Sequence, residues 1–370
     1  MHSDALLTLV VITALAFDFT NGFHDTANVV ATSISTRAIR PRVAVTIAAA
    51  LNFVGAFISL KVAATIATGI VAAGAVTLPI VFAGLIGAAA WNIATWYVGL
   101  PSSSSHALIG GVIGAMLAAK GAGEVHFDGL LGKVVVPALL APLVAFVVAA
   151  IAIVLTYRLT AGLRPGPASR GFRMGQLFSG AMLSLAHGTN DAQKTMGVIT
   201  LALVANGAIP ASHVTVPTWV VITAASAIAL GTYVGGWRII RTLGMRIIKM
   251  DSAQGFTAQT AGAAVVLAAS HVGYPLSTTH VMAGGVVGAG AGKRLSAVRW
   301  GLAGNIAVAW ILTLPAAAAV GAATYAVSIG ISGGALGPFV IAAAVIIAGL
   351  LATLIRRAHK LTAQPAQAAR

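Results

Sequence analysis

Three of the seven carboxylates in this 370-residue chain stand where a charge is costly: Asp18, Asp25 and Asp191 fall inside apolar stretches, while Asp4, Glu124, Asp128 and Asp251 can be placed in loops or at interfaces. A carboxylate at membrane depth usually lines a site or a path. Asp25 and Asp191 sit in similar segments, Gly22-Phe-His-Asp25-Thr-Ala-Asn28 and Gly188-Thr-Asn-Asp191-Ala-Gln-Lys194. The amide oxygens of Asn21, Asn28 and Asn190 beside these carboxylates suit a hard cation such as Na⁺, and a proton could serve in its place. The Gly and polar residues together predict a break in the helix at each aspartate. Simple N-capping would also place an aspartate there, but serine or asparagine would cap with much less desolvation. Asp18 lies seven residues before Asp25 on a similar helical face, yet Ser184 stands at the matching place in the second segment. Coupling and a structural hydrogen bond are equally open to it.

The second set of chemical residues is hydroxylic. Pro101-Ser-Ser-Ser-Ser-His106-Ala-Leu-Ile-Gly-Gly-Val-Ile-Gly-Ala115 aligns without gaps to Pro275-Leu-Ser-Thr-Thr-His280-Val-Met-Ala-Gly-Gly-Val-Val-Gly-Ala289, with eight of fifteen positions identical. Each run is a helix breaker, a hydroxyl cluster and a Gly-rich helix. Hydroxyls and free backbone N–H groups at a half-helix N-terminus make a neutral anion site, aided by the helix dipole. Ser103, Ser104, Ser105, Ser277, Thr278 and Thr279 are therefore candidate substrate contacts, with Thr26 beside Asp25 added to them. Two facing hydroxyl tips suit a tetrahedral oxyanion. Lys194, three residues after Asp191 and on its helical face, either neutralises that aspartate or touches the anion. His106, His187 and His280 read as buried hydrogen-bonding residues.

These residues need elements to hold them, and composition says which. Hydrophobic residues make up 58% of the chain and charged ones 8%, with a mean hydropathy of +0.96, which excludes an ordinary soluble globule. Apolar runs at 43–60, 134–157, 216–237, 300–325 and 336–355 are long enough to cross about 30 Å of hydrocarbon as helices. The stretch 61–79 suits a short span or an interfacial segment. The net charge of +15 is no nucleic-acid footprint, because the basic residues cluster between apolar spans. Arg37–Arg42, Arg158–Arg173, Arg238–Lys249, Lys293–Arg299 and Arg356–Arg370 hold 18 of the 22 basic residues. Assigning them to the cytoplasm puts the N-terminus outside and the C-terminus inside. The expected location is the plasma (inner) membrane. With no cysteine, neither disulfides nor thiolate metal sites enter.

The duplicated motifs divide the chain into two related halves, 1–160 and 172–325, followed by a helix at 336–355. In the first half, 5–36, 43–60 and 134–157 each cross once, while the PSSSSH region returns as a re-entrant hairpin over 80–119. The odd number inverts the second half, whose hairpin covers 256–292. The fold class expected is thus an all-α polytopic membrane protein, an inverted-topology repeat transporter with broken helices and two re-entrant hairpins.

At this point a resemblance becomes specific. Asn21-Gly-Phe-His-Asp25-Thr-Ala-Asn28, Trp91 through His106, Ala186-His-Gly-Thr-Asn-Asp-Ala-Gln-Lys194 and Leu276-Ser-Thr-Thr-His280 resemble the signatures of the inorganic phosphate transporter (Pit) family, most closely its bacterial low-affinity branch. The resemblance covers nearly the full chain. It implies symport of phosphate, free or as a neutral divalent-metal complex, driven by protons or, in other branches, by Na⁺. It maps the paired aspartates onto Asp25 and Asp191, where Na⁺ would be the one metal to expect, and the hydroxyl motifs onto Ser103–Ser105 and Ser277–Thr279. Many members carry glutamates where this chain has Asn52 and Gln259, which tilts the expected coupling ion toward protons. Sulfate, carried by related members, is the same-class alternative. No cofactor is expected beyond the coupling ion, and a homodimer is compatible with the reading. An intramembrane aspartyl protease would also use two aspartates, but its Gly-x-Gly-Asp type motif is absent and it leaves the hydroxyl hairpins unexplained.

Overall fold

At membrane depth a chain must bond every backbone N–H and C=O within its own segment, so long apolar runs with few charges become helices. The computed structural model describes residues 2–332 and 336–368 of this protein, and they fold as helices joined by short connections. The first half holds α1 (His2–Ser35), α2 (Pro41–Gly55), α3 (Lys61–Thr68), α4 (Leu78–Val98), α5 (Ser104–Lys120), α6 (Phe127–Leu130) and α7 (Val136–Leu159). The second half holds α8 (Pro165–Ala205), α9 (Thr218–Val234), α10 (Trp237–Arg241), α11 (Ser252–Val272), α12 (Thr278–Lys293) and α13 (Trp300–Ser332), followed by α14 (Gly337–Ala368). Among the described residues the one extended pairing is an isolated bridge between Val71 and Val125.

Among the described residues, four stretches are long and apolar enough to cross a membrane: Ser3–Ser35, Leu78–Val98, Phe127–Leu159 and Trp300–Ile331. A fifth forms if Thr218–Val234 and Trp237–Arg246, bent by 57° at Gly235-Gly236, are taken together. The run at 43–60 is helical only to Gly55, and 61–79 is no span: α3 has eight residues and gives way to an irregular segment bonded to the 122–126 loop. Hydropathy also sorts the helices radially. The second half of α8, from Ala186 to Leu203, and most of α11 and α12 are buried. Outward residues of α7 and α13, such as Leu139, Leu143 and Ile311, are exposed. The polar helices are thus enclosed by apolar ones, the order a hydrocarbon solvent imposes.

One expectation fails. Both Asp25 and Asp191 lie inside unbroken helices, α1 of 34 residues and α8 of 41 residues, so neither caps a half-helix. Their side chains are satisfied by other elements, and the glycines beside them serve packing instead of turning: a Cβ on Gly188 would lie 2.1 Å from the carbonyl oxygen of Asn52.

The breaks fall instead at the hydroxyl runs. α4 ends on Gly99 with φ 71° and α11 on Gly273 with φ 91°, both left-handed C-caps that favour glycine. α5 then begins at an N-cap serine, Ser103, whose side chain accepts from the His106 N–H at 3.1 Å. α12 begins likewise at Ser277, which accepts from the His280 N–H at 3.3 Å. Each of these inner helices packs on the last long helix of the other half, α5 against α13 and α12 against α7. The two halves are therefore interlocked. The contacts are backbone to backbone: a Cβ at Gly114 would stand 2.0 Å from Ala318 O, and one at Gly288 would stand 2.2 Å from Phe146 O. The far end of α12 is pinned by Asp251, which caps α11 through a capping box with Gln254 and accepts from Tyr157 at 2.5 Å and Lys293 at 2.9 Å. Burial pushes the Asp251 carboxyl up, but the Tyr157, Gln254 and Lys293 donors outweigh it and hold the group below the usual carboxylate range.

Substitution of Gly114 or Gly288 by leucine should therefore abolish recovery of monodisperse protein from detergent, because the neighbour is backbone and cannot move aside. Gly123→Ala, with nothing within 4 Å of the added atom, is the control and should be recovered normally. Normal recovery and thermal midpoint for both leucine variants would refute the close helix crossings.

Candidate functional site

The two hydroxyl tips and the two aspartate segments meet at one place. Asp25, His187 and Asp191 bring ligand atoms within 4.8 Å of one another, so carboxylates from opposite halves of the chain face each other across the centre. All three side chains are buried, with exposures of 2%, 0% and 0%. Two such carboxylates repel strongly out of water unless donors or cations intervene. The donors come from the hairpins. Ser104 Oγ donates to Asp25 Oδ2 at 2.7 Å and Thr279 Oγ1 to Asp25 Oδ1 at 3.3 Å. Thr278 Oγ1 donates to Asp191 Oδ2 at 3.2 Å. Ser104 and Thr278 occupy matching places in the two runs, so each aspartate is bonded by the same hydroxyl of its own half.

The residue three places after each aspartate then crosses to the opposite hairpin. Asn28 Nδ2 donates to Thr278 Oγ1 at 3.2 Å and Thr279 Oγ1 at 2.9 Å. Lys194 Nζ donates to Ser105 Oγ at 2.5 Å, Leu276 O at 2.7 Å and Asp191 Oδ1 at 2.5 Å. Its ammonium is thus held by three oxygens inside the protein and touches both an aspartate and a hydroxyl tip. Asn190 turns its Nδ2 toward α11, bonding Ser270 Oγ at 2.8 Å and Tyr274 O at 3.1 Å. Ser103 and Ser277 remain helix caps, and their hydroxyl oxygens are occupied by backbone.

Thr26 is not brought into the cluster. Its hydroxyl donates to Gly22 O at 2.6 Å and contacts Thr232 O at 3.2 Å, toward α9. Thr26 follows Asp25 directly in α1, but the helix turns its hydroxyl away from the face that carries Asp25 toward the hairpins, and adjacency in sequence says nothing of face. Asp18 is fully buried with no hydrogen-bond partner on either oxygen.

Several residues of the site have weak sequence signals. His24 Nδ1 lies 2.8 Å from Asp25 Oδ1, and its Nε2 lies 3.2 Å from Thr95 Oγ1, which bonds Ser102 at 2.7 Å. His187 lies with Nε2 3.0 Å from Asp191 Oδ2 and Nδ1 3.2 Å from Asn52 Oδ1. Asn52, the uncharged residue noted above, is therefore a direct support of the histidine. Gln259, the other, bridges Ser33 at 2.6 Å and Ser179 at 3.0 Å, away from the aspartates. His106 and His280 meet ring to ring at 4.8 Å, and His280 stacks on Trp310 at 4.1 Å. Arg238, grouped above with a loop cluster, lies over the rings of Trp96 and Tyr97 at the end of α4 and hydrogen-bonds Tyr97 O.

A buried centre of carboxylates, one ammonium and convergent hydroxyls, enclosed by apolar helices, defines a multi-pass all-α membrane transport protein. The sequence profile of the phosphate transporter family matches residues 21–321. A probable low-affinity inorganic phosphate transporter of Mycobacterium tuberculosis (strain ATCC 25618 / H37Rv) is 55% identical over 86% of this chain and 77% of its own. One from Rhizobium meliloti (strain 1021) is 49% identical over 86% of this chain and 96% of its own. Among solved structures, a chain described as the sodium-dependent phosphate transporter superposes with a TM-score of 0.78 at 25% identity, covering 87% of this chain and 98% of that one. The chain belongs to the phosphate transporter family, and it is a transporter, not an enzyme. The aspartyl-protease alternative falls with that.

The Lys194–Asp191 pair makes a measurable claim. Removing the ammonium alone leaves a buried carboxylate uncompensated and should cost about 3–5 kcal/mol. Thermal midpoints in detergent should drop sharply for Lys194→Ala, whereas Asp191→Asn combined with Lys194→Gln should lose much less than the sum of the single changes. Additive losses would show that the two groups do not interact.

Proposed function

We propose that this protein imports inorganic phosphate by symport with a cation, H⁺ or Na⁺. The observation that carries the reading is that the hydroxyls suited to a tetrahedral oxyanion, Ser104, Thr278 and Thr279, donate to Asp25 and Asp191 in the closed site. The carboxylates stand in the place of an anion. A cation at Asp25 and Asp191 lowers their demand for donors and frees those hydroxyls, with the N-terminal N–H groups of α5 and α12, for phosphate. Coupling is then competition for one set of donors. Lys194, already bonded to both Asp191 and Ser105, can follow the phosphate without leaving the aspartate.

Charge gives the same direction. Before phosphate arrives, the buried centre holds the carboxyl groups of Asp25 and Asp191 against the single ammonium of Lys194, and adding an anion to a low-dielectric site without a cation is strongly unfavourable. The names of the relatives support phosphate as the substrate, and the name of the solved structure supports a sodium-coupled mechanism in that protein. Cargo in the form of a neutral divalent-metal phosphate complex would ease the charge in the same way. Sulfate presents similar oxygens to the same donors and is the competing substrate.

The protein is purified, reconstituted into liposomes and tested for radiolabelled phosphate uptake under imposed H⁺ or Na⁺ gradients, with excess sulfate or Mg²⁺ in separate arms. Uptake should follow one gradient, withstand sulfate, and fall by about a hundredfold in Asp25→Asn and Asp191→Asn. Sulfate inhibition would reassign the substrate, and gradient-independent flux surviving both changes would sink the symport reading.

We place the protein in the plasma membrane with its N-terminus outside, on the distribution of Arg and Lys between spans. The absence of cysteine makes this directly testable. In intact cells an impermeant thiol reagent should label Gly123→Cys at once and Ser296→Cys only after permeabilisation. The reverse pattern would invert the orientation.

A further inference from the structure

Asp25 and Asp191 both have protein donors on their oxygens, and Asp18 has none. Its two carboxylate oxygens are fully buried and unpartnered, a state that costs several kcal/mol unless something positive completes it. The surroundings are rich in the same deficiency. Asn21 and Thr195 are the polar side chains beside the Asp18 carboxylate, and neither meets hydrogen-bonding geometry with it. Asn21 Oδ1 and Thr195 Oγ1 are themselves buried without partners. Four buried oxygens without partners thus belong to three neighbouring residues, two on the Asp18 carboxylate, one on the Asn21 amide and one on the Thr195 hydroxyl.

Thr195 carries an independent sign of purpose. On the same helix, Thr189 and Thr200 return their hydroxyls to the carbonyl four residues back, at 2.8 Å in both cases, the ordinary resting state of a helical threonine. Thr195 leaves that bond unmade although its exposure is 0%. Asn21 lies one turn beyond Asp18 on α1, so α1 presents the carboxylate and the amide on one face and α8 presents the hydroxyl opposite. The charged groups facing Asp18 are Asp191 and Lys194, both on α8.

We propose that Asp18, Asn21 and Thr195 form a second site for a monovalent cation, separate from the hydroxyl tips and adjacent to the Asp191–Lys194 pair. The proposal rests on the phosphate-symport reading above and assigns it a further coupling position. When the site is filled, Asp18 makes no demand on Lys194, and the ammonium stays with Asp191, Ser105 and Leu276. When it is empty, the bare carboxylate competes for the ammonium and draws it from the hydroxyl tip. Cation occupancy on one face of α8 is thereby read at the phosphate donors on the other. H⁺ and Na⁺ share this chemistry: a proton on Asp18 would be donated to the Asn21 or Thr195 oxygen, and Na⁺ would be coordinated by all four.

Two assays on the reconstituted full-length protein separate coupling from substrate passage. Phosphate–phosphate exchange needs no net cation movement, while accumulation against a gradient does. For Asp18→Asn the ratio of exchange to gradient-driven accumulation should rise about tenfold or more over wild type, and Asp18→Glu should restore it. Run under H⁺ and Na⁺ gradients separately, the effect should appear in one arm and name the ion. An unchanged ratio in both arms overturns the proposal. If Asp18→Asn loses exchange altogether, Thr195→Val decides: a severalfold rise in the half-activating cation concentration upholds the site, and an unshifted value overturns it. Failure of the wild-type protein to exchange phosphate would instead defeat the phosphate reading itself, which the exchange assay records independently of any variant.

Discussion

Asp25 and Asp191, contributed by opposite halves of the chain, face each other within 4.8 Å together with His187 and away from water. Two carboxylates so placed cannot persist as neighbours unless every lone pair is answered. The local architecture supplies those answers: one hydroxyl from the tip of each half's own hairpin, Ser104 on Asp25 and Thr278 on Asp191, a lysine that also reaches the opposite tip, an asparagine that holds the opposite tip's hydroxyls, and histidines held by Thr95 and Asn52. The helices that carry these groups are too polar for lipid, so apolar helices must enclose them. The radial order of the fold follows from the site more than the site follows from the fold.

The interlock of the halves is the mechanical counterpart. Because α5 seats on α13 and α12 on α7 at glycines whose Cβ would collide with backbone, each hydroxyl tip is positioned by the other half. A change at one aspartate reaches the tip of the opposite hairpin through Asn28 or Lys194 directly, without passing through a loop. Close packing of this kind offers a few discrete arrangements in place of continuous deformation, which is what an element must do if occupancy on one side is to be felt on the other.

Much of this is legible in the sequence, and the exceptions share a cause. The long apolar helices, the buried aspartates and the paired hydroxyl runs all announce themselves by composition and duplication. The helix breaks expected at Asp25 and Asp191 rest on Gly22 and Gly188 as turn residues, when a glycine in a membrane helix as often marks where another backbone approaches. Adjacency groups Thr26 with the site, although the helix turns its hydroxyl toward α9. The role of Asn52 as partner of His187 joins residues more than a hundred positions apart, and no local pattern encodes such a contact. Gly99 and Gly273 show the converse: their left-handed conformation at the break agrees with the proline and hydroxyl signals that follow each of them.

The asymmetry between Asn28 and Lys194 bears most on how such a protein handles charge. They stand at matching places, three residues after their aspartates, and both reach the opposite hairpin, yet one is a neutral amide and the other an ammonium bonded to three oxygens. In the second half, the oxygen cage around Lys194 resembles one that a small cation would accept, and the side chain fills it with a tethered charge that cannot leave. Asp25 has no such companion, only His24 and hydroxyls. Asp18 has only Asn21 and Thr195 beside it, neither in hydrogen-bonding geometry. Fixed compensation is therefore concentrated at Asp191, and the demand for mobile compensation falls on the α1 side, where Asp25 and Asp18 stand one above the other on a single helix. The correspondence between the two aspartate segments is thereby broken by the chemistry of one side chain, an ammonium on α8 where α1 carries an amide.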